Sequence, residues 1–181
     1  GTPKGAVLGS QQLATSADAT ASIIERHYQA QPGAWLLTLP AHHIAGLQVM
    51  LRSLRADYTP LAAAHLQAQH LHAQPPHTGA RFTAAGFIAD TAAREGVIKK
   101  MAEEGAQIAL TYGSSETAGG MVYNGHPLPG ARVRIDGADE RGAGRVRISG
   151  PMVADGYRNV DSAEAFPVAG EFVTSDIGVL D

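Results

Sequence analysis

Gln107-Ile108-Ala109-Leu110-Thr111-Tyr112-Gly113-Ser114-Ser115-Glu116-Thr117 decides how the chain is read. Its first five residues are apolar enough for a buried strand. The next six gather an aromatic ring, a glycine, three hydroxyls and a carboxylate where that strand would end. A glycine placed there lets backbone approach a ligand closely. Tyr112 offers a flat face for a stacked base. Ser115 and Glu116 bring a hydroxyl and a hard oxygen ligand of the kind magnesium prefers. Taken alone, the same residues also describe a polar loop with a core tyrosine and a helix cap at Ser114 or Ser115.

Upstream of this stretch the pattern alternates between helix and strand. Leu13, Ala17, Thr20, Ile24 and Tyr28 recur at helical spacing and predict an amphipathic helix over 11–29, with Ser10 as its cap. Trp35-Leu36-Leu37-Thr38-Leu39 reads as a buried strand ended by Pro40, and Ile44, Leu47, Met50, Leu51 and Leu54 mark a second helix. Residues 57–93 are rich in Ala, Gln and His and show no clear period, and 94–104 is charged and helix-prone. Downstream the character changes. Ala131-Arg132-Val133-Arg134-Ile135 and Arg145-Val146-Arg147-Ile148 alternate strictly, as half-exposed antiparallel strands do. The expected fold is therefore layered α/β over about 1–130, with an antiparallel β-rich C-terminal third over about 131–181.

Composition narrows the classes of function. The chain has 181 residues, 44% of them hydrophobic, and a net charge of −3, which leaves no electrostatic footprint for nucleic acid. No apolar run approaches the ~18 residues of a membrane span. The absence of cysteine excludes disulfides and thiolate metal sites, and fits a cytoplasmic protein. The start, without methionine inside a glycine loop, and the end, inside an apolar run, lead us to expect a piece of a longer protein.

Three other segments carry polar groups of interest. Gly1-Thr2-Pro3-Lys4-Gly5 suits polyphosphate, although it lacks the Walker spacing and is equally a turn before a strand. His42 and His43 stand between a strand end and a helix, where a histidine can gate a pocket or simply pack. His65, His70, His72 and His77 match no metal-ligand spacing.

In combination the segments resemble the adenylate-forming superfamily of acyl-CoA synthetases, luciferases and peptide-synthetase adenylation domains. Thr2-Pro3-Lys4-Gly5 looks like the end of its phosphate loop, and Leu39-Pro40 through Gly46-Leu47 like its Leu-Pro-x-x-His-x-x-Gly-Leu segment. Tyr112 through Thr117 looks like its Tyr-Gly-x-Ser/Thr-Glu motif. Gly144-Arg145-Val146-Arg147-Ile148-Ser149-Gly150-Pro151 with Gly156-Tyr157, and Phe172 through Gly178, follow in the family's order. The runs around His43 and around Glu116 are similar to actinobacterial o-succinylbenzoate–CoA ligases, which act in menaquinone synthesis.

The resemblance implies a large nucleotide- and acyl-binding domain, with the small C-terminal domain and its adenylation lysine absent. It implies ATP and Mg²⁺ as cofactors, coenzyme A as co-substrate, a small-molecule carboxylic acid as substrate, no nucleic-acid partner, and a homodimer as the assembly to expect. Thr2 and Lys4 would serve the β- and γ-phosphates, Glu116 the metal, and Ser115 the α-phosphate region. Tyr112, with Gly113 and Ser114, would take the adenine, and Asp176 the ribose hydroxyls. His43, Gly119 and Gly120 would shape the acyl site. Ala84-Ala85-Gly86 is what would remain of the family's adenine-contacting turn. The stretch alone is expected to bind nucleotide weakly and not to turn over. The alternatives are another acyl- or aryl-CoA ligase, or a non-catalytic nucleotide-binding module.

Overall fold

A computed structural model describes residues 4–30, 33, 35–37, 39–62 and 109–180. Thr2, Gly86, the histidines at 65, 70, 72 and 77, the expected helix at 94–104, and Gln107 and Ile108 of the apolar run lie outside those residues.

Helix α1 spans Ser10–Tyr28. Its cap is Gly9 rather than the expected Ser10, because Gln12 folds back and its Oε1 accepts from the Gly9 N–H at 3.0 Å. Its inward face carries Ser16, Ala17, Ala19, Thr20 and Ile23, mostly small side chains that admit close neighbours. The two hydroxyls are satisfied: Ser16 donates to the Ala118 carbonyl at 3.2 Å, and Thr20 to the Ser16 carbonyl at 2.9 Å.

Strand β1 (Leu36–Leu37) leads through Pro40 into helix α2 (Ile44–Arg55), and β2 (Leu61–Ala62) pairs parallel with β1. Gly46 permits this entry. A Cβ there would lie 2.8 Å from the Pro40 carbonyl carbon and closer still to its oxygen. The face that α2 buries is not the leucine stripe its period suggests. Leu47 and Leu54 are exposed, while Gln48 and Ser53 are buried. Both polar groups work as brackets: Ser53 Oγ accepts from the Trp35 N–H at 2.9 Å, and Gln48 Nε2 donates to the Ala118 carbonyl at 2.9 Å.

Strands β3 (Thr111–Ser114), β4 (Gly119–Tyr123) and β5 (His126–Pro127) form an antiparallel sheet, with a 3-10 turn, Ser115–Thr117, joining the first two. Strands β6 (Arg132–Asp136), β7 (Gly144–Ser149) and β8 (Glu171–Gly178) form a second, also antiparallel. The alternation read in 131–135 and 145–148 is thus the real period. On β7, Val146 and Ile148 point inward, and Arg147 outward to Asp136 and Glu171. One apolar core joins both sheets to α1: Met121, Leu128, Ile148 and Met152 are fully buried, with Ile23, Val153 and Phe172 packed among them. Each such side chain contributes about 1.5–3 kcal/mol of burial.

Candidate active site

The β3–turn–β4 hairpin has two faces, and each lines a separate cavity. Thr111, Gly119 and Gly120 look toward an apolar cavity of about 430 Å³, closed by Ile24, Trp35, Leu39, Ala45, Val49 and Tyr123. Tyr112, Ser114 and Glu116 look the other way, into a polar cavity of about 350 Å³ shared with Lys4, Arg145, Tyr157, Glu164 and Asp176. Both volumes are in the range of small-molecule sites.

The hairpin is held firmly. Thr117 Oγ1 accepts from the Ser114 N–H at 2.9 Å and lies 2.8 Å from the Gly119 carbonyl. Ala118, in the left-handed region at φ 55°, presents its carbonyl to Ser16 and Gln48. Gly113 is required by strand contact rather than by ligand approach. A Cβ there would meet Gly120 Cα at 2.7 Å, where β3 crosses β4.

Register shifts aim the functional side chains. The β3–β4 pairing slips between Tyr112 and Gly113, leaving Met121 as the extra residue on β4. On β8, Thr174, Ser175 and Asp176 stand opposite Val146 alone. Bulges of this kind re-aim side chains beside active sites. Here they bring residues 64 positions apart together: Tyr112 Oη donates to Asp176 Oδ2 at 2.6 Å. Burial, with the Asp176 hydrogen bond second, pushes the Tyr112 phenol up to about 12.

Across the polar cavity, Tyr157 Oη donates to Glu116 Oε1 at 2.8 Å, and Lys4 Nζ lies 5.2 Å from the centre of the Tyr157 ring. Burial and then the Glu116 carboxylate push the Tyr157 phenol well above its ordinary range. Ser114 Oγ is buried here without a hydrogen-bond partner among the described residues. A carboxylate beside an unused hydroxyl is an oxygen donor set that suits Mg²⁺, so Glu116 with Ser114 can hold such an ion.

The apolar cavity has its own unsatisfied polar end. Arg52 stacks on Trp35, 5.0 Å from the ring centre, and its Nε and Nη2 have no hydrogen-bond partner among the described residues. Gln48 Oε1 is likewise unpartnered. No carboxylate lines this cavity among the described residues. Burial pulls the Arg52 guanidinium below its ordinary value, with the Tyr123 hydroxyl acting the other way. Two buried guanidinium donors without a partner among the described residues are costly to desolvate, and a carboxylate is the group that suits them.

Of the residues picked from sequence, Lys4, Tyr112, Ser114, Glu116 and Asp176 share the polar cavity, and Gly119 and Gly120 line the apolar one. Ser115 is exposed and lines neither. His43 is the exposed N-cap of α2, with its N–H donating to the Pro40 carbonyl at 2.9 Å, and it too lines neither. Arg52, Gln48, Trp35, Arg145 and Tyr157 had been given no role. For the first two a signal existed: polar residues four apart share one face of a helix.

No family model matches the chain. A protein of Mycobacterium tuberculosis named "Probable 2-succinylbenzoate–CoA ligase" is 33% identical over the whole of this chain and 52% of its own length. The o-succinylbenzoate CoA synthetase of Bacillus subtilis, in complex with the acyl-adenylate intermediate, superposes with TM-score 0.75 at 20% identity, over all of this chain and 45% of that one. In sequence the chain is similar to a 2-succinylbenzoate–CoA ligase, and it shares the fold of the adenylate-forming ligases. The N-terminal domain of an M. tuberculosis protein designated FACL13, bound to an inhibitor, has the same fold at TM-score 0.72 and 22% identity, covering all of this chain and 55% of that one. The chain thus spans about half the length of the curated relatives it matches. No helix among the described residues is long and apolar enough to cross a membrane.

Proposed function

We propose that the whole protein converts a carboxylic acid, o-succinylbenzoate, to its acyl-adenylate with ATP and then to its coenzyme A thioester, in the cytoplasm as a step of menaquinone synthesis. One observation carries the reading: a single hairpin separates an acidic polar cavity from an apolar cavity lined by Arg52, two of whose buried donors have no partner among the described residues. A nucleotide with its cation suits the first. The second suits an apolar acid that carries another carboxylate beyond the reacting one.

In the first step a carboxylate oxygen attacks the α-phosphorus, and the bond to pyrophosphate breaks. In the second the thiol sulfur of coenzyme A attacks the acyl carbonyl, and AMP leaves with the former carboxylate oxygen. ATP supplies the driving force, so the protein mainly positions groups and stabilises charge. Asp176 would release Tyr112 and accept from the ribose hydroxyls, while the Tyr112 ring lies against adenine with Gly113 and Ser114 behind it. Lys4 and Thr2 serve the outer phosphates, and Ser115 the α-phosphate region. Glu116, with Ser114, holds Mg²⁺, which when bound neutralises phosphate charge. Gly119 and Gly120 leave room for an aromatic acid, with Arg52 holding the second carboxylate.

The test is pyrophosphate release by the full-length protein over a panel of acids. Release with o-succinylbenzoate, and much less with long-chain or simple aryl acids, is expected. Release with a fatty acid but none with o-succinylbenzoate replaces it by another acyl-CoA ligase activity. No release with any acid, despite nucleotide binding, leaves a binding module.

A further inference from the structure

Residues 154–159 are tied on both sides to the polar cavity. On one side the backbone pairs with the start of the chain. Val7 N–H donates to the Gly156 carbonyl at 2.9 Å, Asp155 N–H to that of Val7 at 3.0 Å, and Arg158 N–H to that of Gly5 at 2.8 Å. Asn159 Oδ1 accepts from the Gly5 N–H at 3.1 Å. On the other side the Ala154 N–H donates to the Glu116 carbonyl at 2.8 Å. Tyr157 stands between the two sides. Its hydroxyl reaches Glu116, Lys4 stacks on its ring, and Phe166 meets that ring edge-on at 5.1 Å between centres.

We propose that Tyr157 is a positioning residue that fixes the Glu116 carboxylate for a divalent cation and, through its ring, holds Lys4 against the same cavity. The inference rests on Glu116 as the metal-holding residue. A glutamate side chain has three rotatable bonds, and freezing them costs free energy each time a ligand binds. The Tyr157 hydroxyl engages one carboxylate oxygen in advance, so part of that ordering is already complete. A neutral donor suits the task because it steers the carboxylate without cancelling its charge. A phenol hydroxyl is such a donor at neutral pH. Cation–π contact does the same for Lys4, whose long stem would otherwise wander. One tyrosine thereby couples the anion-binding and cation-binding sides of the cavity.

The test uses Tyr157→Phe and Tyr157→Leu in the full-length protein, with ATP affinity measured by calorimetry with and without Mg²⁺. In Tyr157→Phe the ring, and so its contacts with Phe166 and Lys4, remains. Its near-ultraviolet circular dichroism should match the parent's apart from the lost phenol. The Mg²⁺-linked gain in ATP affinity should fall about 10-fold, the scale of one hydrogen bond to a charged group. The Mg²⁺ concentration for half-maximal pyrophosphate release should rise in step, with the KM for the acid unchanged. Tyr157→Leu should add a loss of ATP affinity that persists without Mg²⁺, because Lys4 is released. Retention of the full Mg²⁺-linked gain by Tyr157→Phe overturns the role of Tyr157 alone. Absence of any such gain in the parent protein overturns the Glu116 assignment and this inference with it.

Discussion

Replacing Arg52 by methionine should split the protein's substrates into two groups. Methionine keeps most of the Arg52 aliphatic stem and removes the charged fork, which lies over the Trp35 ring. The Arg52 Nε and Nη2 are buried without a partner among the described residues, so a carboxylate that meets both gains two charge-assisted hydrogen bonds. Each is worth about 1.5–3 kcal/mol net, and their shared desolvation argues for the low end of the sum, about 3 kcal/mol. The kcat/KM for o-succinylbenzoate should therefore fall about 150-fold. For 4-oxo-4-phenylbutanoate, the same acid without its ring carboxylate, kcat/KM should change less than about 3-fold, since no bond to Arg52 is lost. Stability without ligand should hold or rise by up to about 1 kcal/mol, because a desolvated cation is removed at the expense of one aromatic stack. The assay is pyrophosphate release with both acids, beside urea unfolding of each protein. An equal loss for both acids, or marked destabilisation, would falsify the carboxylate-receptor reading and make Arg52 a structural residue.

Gly46→Ala should cost about 1–3 kcal/mol in urea unfolding, despite alanine's better helix propensity, because the new methyl overlaps the Pro40 carbonyl. Glu116→Gln in the full-length protein should slow Mg²⁺-dependent adenylation about 100-fold, and an unchanged rate removes Glu116 from the metal. For Tyr112 the pH dependence has a definite sign. Folding raises its phenol from the ordinary 10 to about 12, so its contribution is intact below pH 10 and is lost as pH rises from 10 through 12. Tyr112→Phe should show a shallower decline of the urea midpoint across that window, and an identical decline removes Tyr112 as its source.

Periodicity carried much of this fold. The apolar recurrence in 11–29 gave α1, and the alternation in 131–135 and 145–148 gave β6 and β7, because both patterns report which face meets the core. The helical period found α2 but not its buried face, which holds Gln48 and Ser53. Those side chains satisfy backbone groups of other elements, and such partners are invisible to a local pattern. The same reason hid Arg52: a charged residue inside a helix normally reads as solvated.

The sequence by itself carried the resemblance to adenylate-forming ligases, through ordered motifs, and the identity of the polar groups at Lys4, Tyr112, Ser114, Glu116 and Asp176. Tertiary structure decided which of them meet. Tyr112 reaches Asp176, and Glu116 reaches Tyr157, only because two strands slip register and because residues 154–159 pair with the start of the chain. Slips of that kind depend on contacts between distant strands, where close packing rather than local preference sets the register. The two cavities back to back on one hairpin are a product of the fold alone.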